Sequence, residues 1–198
     1  MPNLVKRRKL SGTIRFILQR LFMRITNLFR KKTHDTLSVE EKNLLAFEAG
    51  EGLLFDGQQW IIKKIIEYNW GELLVSYDYI LDNGKEIIYL GVEKNDNKLL
   101  LSIRKDISVG KIDSNLKAEI IKNEVPSRIL HYEGIQFLFD RESVGMSRLE
   151  NTSDWTDITV WEYIDKSNKH VLTIEQFSDK DIFTSIGSVI TISEITKI

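Results

Sequence analysis

The sequence predicts a mainly β fold, α+β overall: two tandem antiparallel β-meander repeats packed as a barrel or sandwich, preceded by a basic amphipathic N-terminal helix and a short second helix. Three observations carry this reading. Apolar residues change from a helical period before residue 34 to short β-branched and aromatic runs after residue 53. A set of short motifs occurs twice in the same order. Charge is divided along the chain, with a basic head and an acidic body.

The head, residues 1–34, holds ten basic residues (Lys6, Arg7, Arg8, Lys9, Arg15, Arg20, Arg24, Arg30, Lys31 and Lys32) and no acidic one. All 29 acidic residues and the other 18 basic ones follow from Asp35, so a net charge of -1 conceals a head of +10 and a body of -11. Within the head, Ile14, Ile17, Leu18, Leu21, Ile25, Leu28 and Phe29 fall on one helical stripe. Arg15, Arg20, Arg24, Asn27 and Lys31 fall largely opposite. A transmembrane span is disfavoured, because Arg15, Arg20 and Arg24 interrupt every window long enough to cross, at roughly 2.5–3.5 kcal/mol each on insertion scales. A secretory signal lacks its uninterrupted apolar core and small-residue cleavage site, whereas the acid-free, Arg-rich character also suits a mitochondrial transit peptide.

The pattern best fits an interfacial helix on an anionic membrane surface, where each basic residue contributes about 1 kcal/mol of attraction. Arg15, Ile17, Leu18, Arg20, Leu21, Arg24, Ile25, Leu28, Phe29 and Lys31 are the membrane- or partner-binding candidates. The alternative is a helix docked on a partner protein or on its own acidic body. Nucleic-acid binding is disfavoured: the charge would serve phosphates, but a Phe and Ile stripe is not a stacking platform on a sheet.

Residues 35–52 read as a linker and a short helix from about Val39 to Phe47, because Ser38 and Glu41 have capping-box spacing and Gly50 and Gly52 stop the run. The first β repeat spans 53–107, a polar connector 108–126 with a helical stretch near Ser114–Lys122, and the second repeat 127–198. Asp82-Asn83-Gly84 marks a hairpin, and Asn95-Asp96-Asn97 a further turn. The first copy runs Phe55-Asp56-Gly57-Gln58-Gln59-Trp60, Tyr77-Asp78-Tyr79-Ile80, Leu90-Gly91-Val92-Glu93 and Leu101-Ser102-Ile103. The second runs Tyr132-Glu133-Gly134-Ile135-Gln136-Phe137, Trp161-Glu162-Tyr163-Ile164, Leu172-Thr173-Ile174-Glu175 and Thr184-Ser185-Ile186. Duplicated units of this kind pack together, since one small meander cannot bury its apolar face alone.

The strings Trp161-Glu162-Tyr163, Leu172-Thr173-Ile174-Glu175 and Ser185-Ile186-Gly187, with Phe55-Asp56-Gly57 and its partner, resemble the bacterial family called domain of unknown function 4178. The resemblance runs from about Gly52 to Ile195. It implies no catalytic residue, since the family has no established activity. It does imply kinship with proteins encoded beside phage-shock-protein-A-like membrane-remodelling factors, a possible partner class. The basic head lies outside it.

The chemistry-bearing candidates are few. The repeated acids Asp78, Glu93, Glu162 and Glu175 could hold a cation or do acid-base work, or accept hydrogen bonds that fix their hairpins, and the structural role is favoured. His34, His131 and His170 lack metal-ligand spacing, and His131-Tyr132 reads as a strand start. Gly110, Gly145 and Gly187 are isolated, so no nucleophile elbow or phosphate loop is present. Trp60, Trp70, Trp155 and Trp161 read as core or half-buried sheet residues. With no cysteine, thiolate metal sites and disulfides are excluded, which fits a reducing compartment. No cofactor, small-molecule substrate or metal is expected. The function so read is a non-enzymatic accessory protein, cytoplasmic and peripheral at the inner face of the cell membrane, in an envelope-stress setting.

Overall fold

Short β-branched and aromatic runs fold here into one antiparallel sheet. A computed structural model of the chain describes residues 37–71, 74–95, 98–177 and 181–198. The helix predicted for the head, with all ten of its candidate residues, lies outside the described residues.

A six-residue helix opens the described chain, α1 (Val39–Leu44). Its cap is the expected box: Ser38 Oγ accepts from Glu41 N at 3.1 Å, and Glu41 Oε2 accepts from Ser38 N at 2.8 Å. The helix ends three residues earlier than its apolar pattern suggests, and Phe47 is instead buried beyond it. Strands β1 (Gly52–Phe55) and β2 (Gln58–Asn69) follow, then β3 (Val75–Asp82), β4 (Ile87–Asn95) and β5 (Lys98–Ile107). The connector forms α2 (Val109–Ile112) and α3 (Leu116–Asn123). The second set is β6 (Ile129–Tyr132), β7 (Ile135–Leu149), β8 (Thr156–Asp165), β9 (His170–Gln176) and β10 (Ile182–Ile190). A 3-10 turn (Ile192–Glu194) leads into β11 (Ile195–Lys197). His131-Tyr132 therefore closes a strand rather than starting one, because Glu133-Gly134 supplies the turn after it.

The strand order is β11-β1-β2-β3-β4-β5-β10-β9-β8-β7-β6, and an extra pairing of β2 with β7 closes β2, β3, β4, β5, β10, β9, β8 and β7 into a ring. The long strands make closure possible. The start of β2 pairs with β1 and its end, Ile66–Asn69, with β7; the start of β7 pairs with β6 and its end, Met146–Leu149, with β2. Both long strands carry a register irregularity, at Ile62/Lys64 and at Phe139/Arg141, where the added twist bends the strand between its two partners. Both are entered by a turn with two positive φ angles, Asp56 at 50° and Gly57 at 68°, then Glu133 at 49° and Gly134 at 80°. The two bulges are separated by the same interval of chain as the two turns.

Alternation along the strands sends side chains to two faces. Tyr79 and Leu81 on β3, Leu90 and Val92 on β4, and Trp60 and Ile62 on β2 form a first core, which Leu44 and Phe47 cover. Trp161 and Tyr163 on β8, Leu172 and Ile174 on β9, and Phe137 on β7 form a second, covered by Leu116 and Ile120 of α3. A smaller cluster of Tyr68, Ile158 and Val160 lies where β2 meets β7 and β8, with Trp70 packed against it. Trp60 and Trp161 are buried, Trp70 and Trp155 half-buried. The polar connector thus supplies two fully buried residues, each contributing about 1.5–3 kcal/mol of burial. At the predicted hairpin, Gly84 has φ 83°, and Asn83 Oδ1 accepts from the N–H groups of Lys85 (2.9 Å) and Glu86 (3.0 Å). The connection is four residues long, with the Asn83 side chain building the turn. Part of the Asn95-Asp96-Asn97 turn lies outside the described residues.

Candidate functional site

On the opposite face of β3, β4, β8 and β9 from the two cores stand the four repeated acids: Asp78 on β3, Glu93 on β4, Glu162 on β8 and Glu175 on β9. The fold brings them together crosswise. Asp78 of the first half shares an arginine with Glu175 of the second, and Glu93 of the first shares another with Glu162 of the second. The two arginines come from unrelated positions, Arg104 on β5 and Arg141 on β7.

Arg104 is buried beside the β5–β10 pairing. Its Nη2 donates to Asp78 Oδ1, and Tyr68 Oη donates to the other oxygen, Oδ2, at 3.0 Å. Its Nη1 donates to Thr173 Oγ1 at 3.4 Å and lies 3.7 Å from Glu175 Oε1. Burial works against the guanidinium charge, but Asp78 and then Glu175 outweigh it and raise the Arg104 pKa. Nearby, Tyr89 Oη donates to Asp106 Oδ2 at 2.7 Å.

Opposite Arg104 in the pairing sits Gly187. A Cβ there would stand 1.8 Å from the Ile103 carbonyl oxygen and 2.7 Å from Arg104 Cα, so two strand backbones approach where no side chain fits. Gly91 faces the same cluster: a Cβ would meet Ser102 Oγ at 2.8 Å, with Arg104 Nη2 and Asp78 Oδ1 each at 3.2 Å.

Arg141 is more open. Its Nη1 and Nη2 donate to the two oxygens of Glu93, the first at 2.6 Å, and its Nε donates to Glu162 Oε2. This is a bidentate fork with a third charge-assisted bond behind it. Its pKa is raised despite desolvation, by hydrogen bonds to Glu93 and then Glu162. A third cross-half pair lies on the β2–β7 seam, where Arg148 Nε and Nη2 donate to Glu67 Oε2 at 2.9 and 2.7 Å and the guanidinium covers Trp155 at 4.4 Å.

The carboxylates thus differ in what remains free. Asp78 has both oxygens engaged by Arg104 and Tyr68, and Glu93 both by Arg141. Glu175 touches its arginine only at the 3.7 Å separation, and burial and the neighbouring Asp78 push its pKa up to about 7, against the opposing pull of Arg104. Among the described residues no group of three or more His, Cys, Asp or Glu side chains could hold a metal ion. His131 on β6 lies 3.4 Å from Gln136 on β7, and His170, opening β9, lies 3.2 Å from Asp165 at the end of β8, so the two histidines are on separate strands.

Sequence reasoning found the four acids and missed Arg104, Arg141, Tyr68 and Thr173. One signal was available: an acid at an inward strand position needs a buried donor, and Arg is the residue suited to that task. Nothing in the linear pattern says which arginine serves which acid.

Among the described residues no helix is long and apolar enough to cross a membrane. No curated protein and no solved structure matches the chain. The sequence model of one family does match it, over residues 48–191, which takes in both arginine bridges and all four repeated acids. The chain therefore belongs to the family described as Domain of unknown function (DUF4178).

Proposed function

We propose that this protein is a non-enzymatic accessory factor at the inner face of the bacterial cell membrane, with its basic head on anionic lipid and its acidic body presented to a partner. The partner proposed is a phage-shock-protein-A-like membrane-remodelling protein, in an envelope-stress response. One observation carries the reading: a +10 head in which Ile14, Ile17, Leu18, Leu21, Ile25, Leu28 and Phe29 make one helical stripe, joined to a body of -11. The engagement of Asp78, Glu93 and Glu162 by guanidinium groups favours a structural over a catalytic role for the repeated acids.

The body, in this reading, is a duplicated motif closed as a barrel. Equivalent turns and equivalent bulges support the duplication. So does the β5–β10 register, in which Arg104 opposes Gly187, each being the residue after a Ser-Ile pair (Ser102-Ile103 and Ser185-Ile186). Antiparallel pairing about equivalent residues is what a local two-fold axis produces.

A second reading follows from the same charge split: the head packs on a partner protein or on the acidic body, without lipid. Co-sedimentation with phosphatidylglycerol and phosphatidylcholine vesicles separates the two. The full chain should sediment with the anionic vesicles, and a chain starting at Asp35 should not. Equal sedimentation of both, or none of the full chain, rules out the lipid role; Ile17→Asp altering oligomeric state without lipid would favour the second reading.

A further inference from the structure

The cluster around Glu175 contains more carboxylates than one guanidinium can serve. Asp78 holds Arg104 by a direct hydrogen bond and takes a second from Tyr68, while Glu175 stands 3.7 Å from Arg104 with its side chain only 16% exposed. The groups facing Glu175 are predominantly acidic: Asp78 on β3, Asp106 on β5 and Glu162 on β8, with Arg104 on β5 opposing them. Tyr68 on β2 and Tyr89 on β4 also lie within its field, and both phenols are held un-ionised, chiefly by burial. Glu162 is itself held by Arg141, which is also committed to Glu93. The β10 residue paired with Glu175 is Phe183, which brings no charge.

We propose that the Asp78–Arg104–Glu175 cluster is a proton-operated latch on the seam between the two halves of the ring. With Glu175 protonated, one guanidinium balances one carboxylate and the cluster is neutral. With Glu175 ionised, a surplus negative charge is enclosed between β3, β5 and β9. The latch sits where the halves join, because Arg104 and Asp78 belong to the first half, and Glu175 and Thr173 to the second. Adjacent backbones already pack there without room for a Cβ at Gly187, so the seam has little slack to relax the charge.

A carboxyl whose folded pKa is raised binds its proton more tightly in the native than in the unfolded state. The unfolded group releases its proton near 4.5 and the folded one near 7. Stability therefore declines as pH rises from about 4.5 to 7, and the contribution is gone above that.

Melting of the full chain between pH 5.5 and 8.5 tests the latch against Glu175→Gln, which keeps the shape and removes the titration. Wild type should lose on the order of 5 °C across this range, and the variant should lose little and melt above wild type at pH 8.5. A variant that follows the wild-type slope overturns the proposal. A titration of wild type carrying 13C-labelled glutamate covers the case in which the variant does not fold. One side-chain carboxyl should titrate with a midpoint between pH 6 and 8, and a spectrum with none in that window overturns the latch as well. Neither measurement involves lipid, so both stand or fall independently of the membrane reading.

Discussion

Arg104 and Arg141 do the same work under different exposure, and that difference sets what their loss should cost. Arg104→Met removes the cation from beside Asp78 and Glu175 in a buried setting, and truncating one partner of such a pair costs about 3–5 kcal/mol. Arg141→Met, at a side chain that is 36% exposed, should cost less, about 1.5–3 kcal/mol, since water can reach the carboxylates left behind. Urea unfolding at pH 7 ranks the two; a larger loss at Arg141 would contradict the burial argument. Gly187→Ala should be worse than either, above about 4 kcal/mol, because its Cβ would overlap the Ile103 carbonyl rather than a movable side chain. The acids were legible in the sequence because they recur within a repeated motif. The arginines were not, because Arg104 follows the first Ser-Ile pair where Gly187 follows the second, and Arg141 follows its bulge where Lys64 follows the other, so neither recurs as an arginine.

Among the elements, the strands were largely readable and their covers were not. Short runs of Ile, Val, Tyr and Trp predicted the strands by local preference alone. What covers each core depends on contacts distant in sequence. Tyr79 Oη donates to the Leu44 carbonyl at 2.7 Å, and Tyr163 Oη, from the same place in the second motif, donates to the Ser127 carbonyl at 2.8 Å. Each tyrosine thus ties the segment before its own half onto the sheet. Tyr79→Phe and Tyr163→Phe should each lose about 1–3 kcal/mol, since a carbonyl is left without its donor, and protease cleavage should rise near Leu44 and Ser127 respectively. Unchanged cleavage would mean that apolar packing alone holds these segments. Strand β11 was equally invisible in the local pattern: it ends the chain yet pairs with β1, near the start of the described residues.

The β8–β9 turn offers a pH test of its own. Asp165 is held below the ordinary carboxylate range by the Ser167 hydroxyl, then by the backbone N–H and ring of His170 and the N–H of Lys169, with desolvation opposing. A lowered pKa means stability that is present above the unfolded value, 3.8, and lost as pH falls through the folded one. Asp165→Ala should therefore melt below wild type at pH 7, with the gap narrowing in acid. This runs opposite to the Glu175 effect, and the two are separable by their pH windows.

At the scale of the whole molecule, the ring makes the two halves interdependent. Each has its own core, but neither closes its sheet: β5 needs β10, and β2 needs β7. The cross-half bridges Arg104–Glu175, Arg141–Glu93 and Arg148–Glu67 have one partner on each side. Residues 37–198 should accordingly unfold as one cooperative unit. Closure was beyond the reach of sequence periodicity, because strand pairing across the seams is a non-local choice fixed by register and by the length of β2 and β7. Native-state hydrogen exchange of the full chain across a urea series, read on peptides from β3–β4 and from β8–β9, tests this most directly. Core amides in both sets should lose protection at the same urea concentration; loss of one half's protection while the other stays fully protected would show that the halves unfold separately.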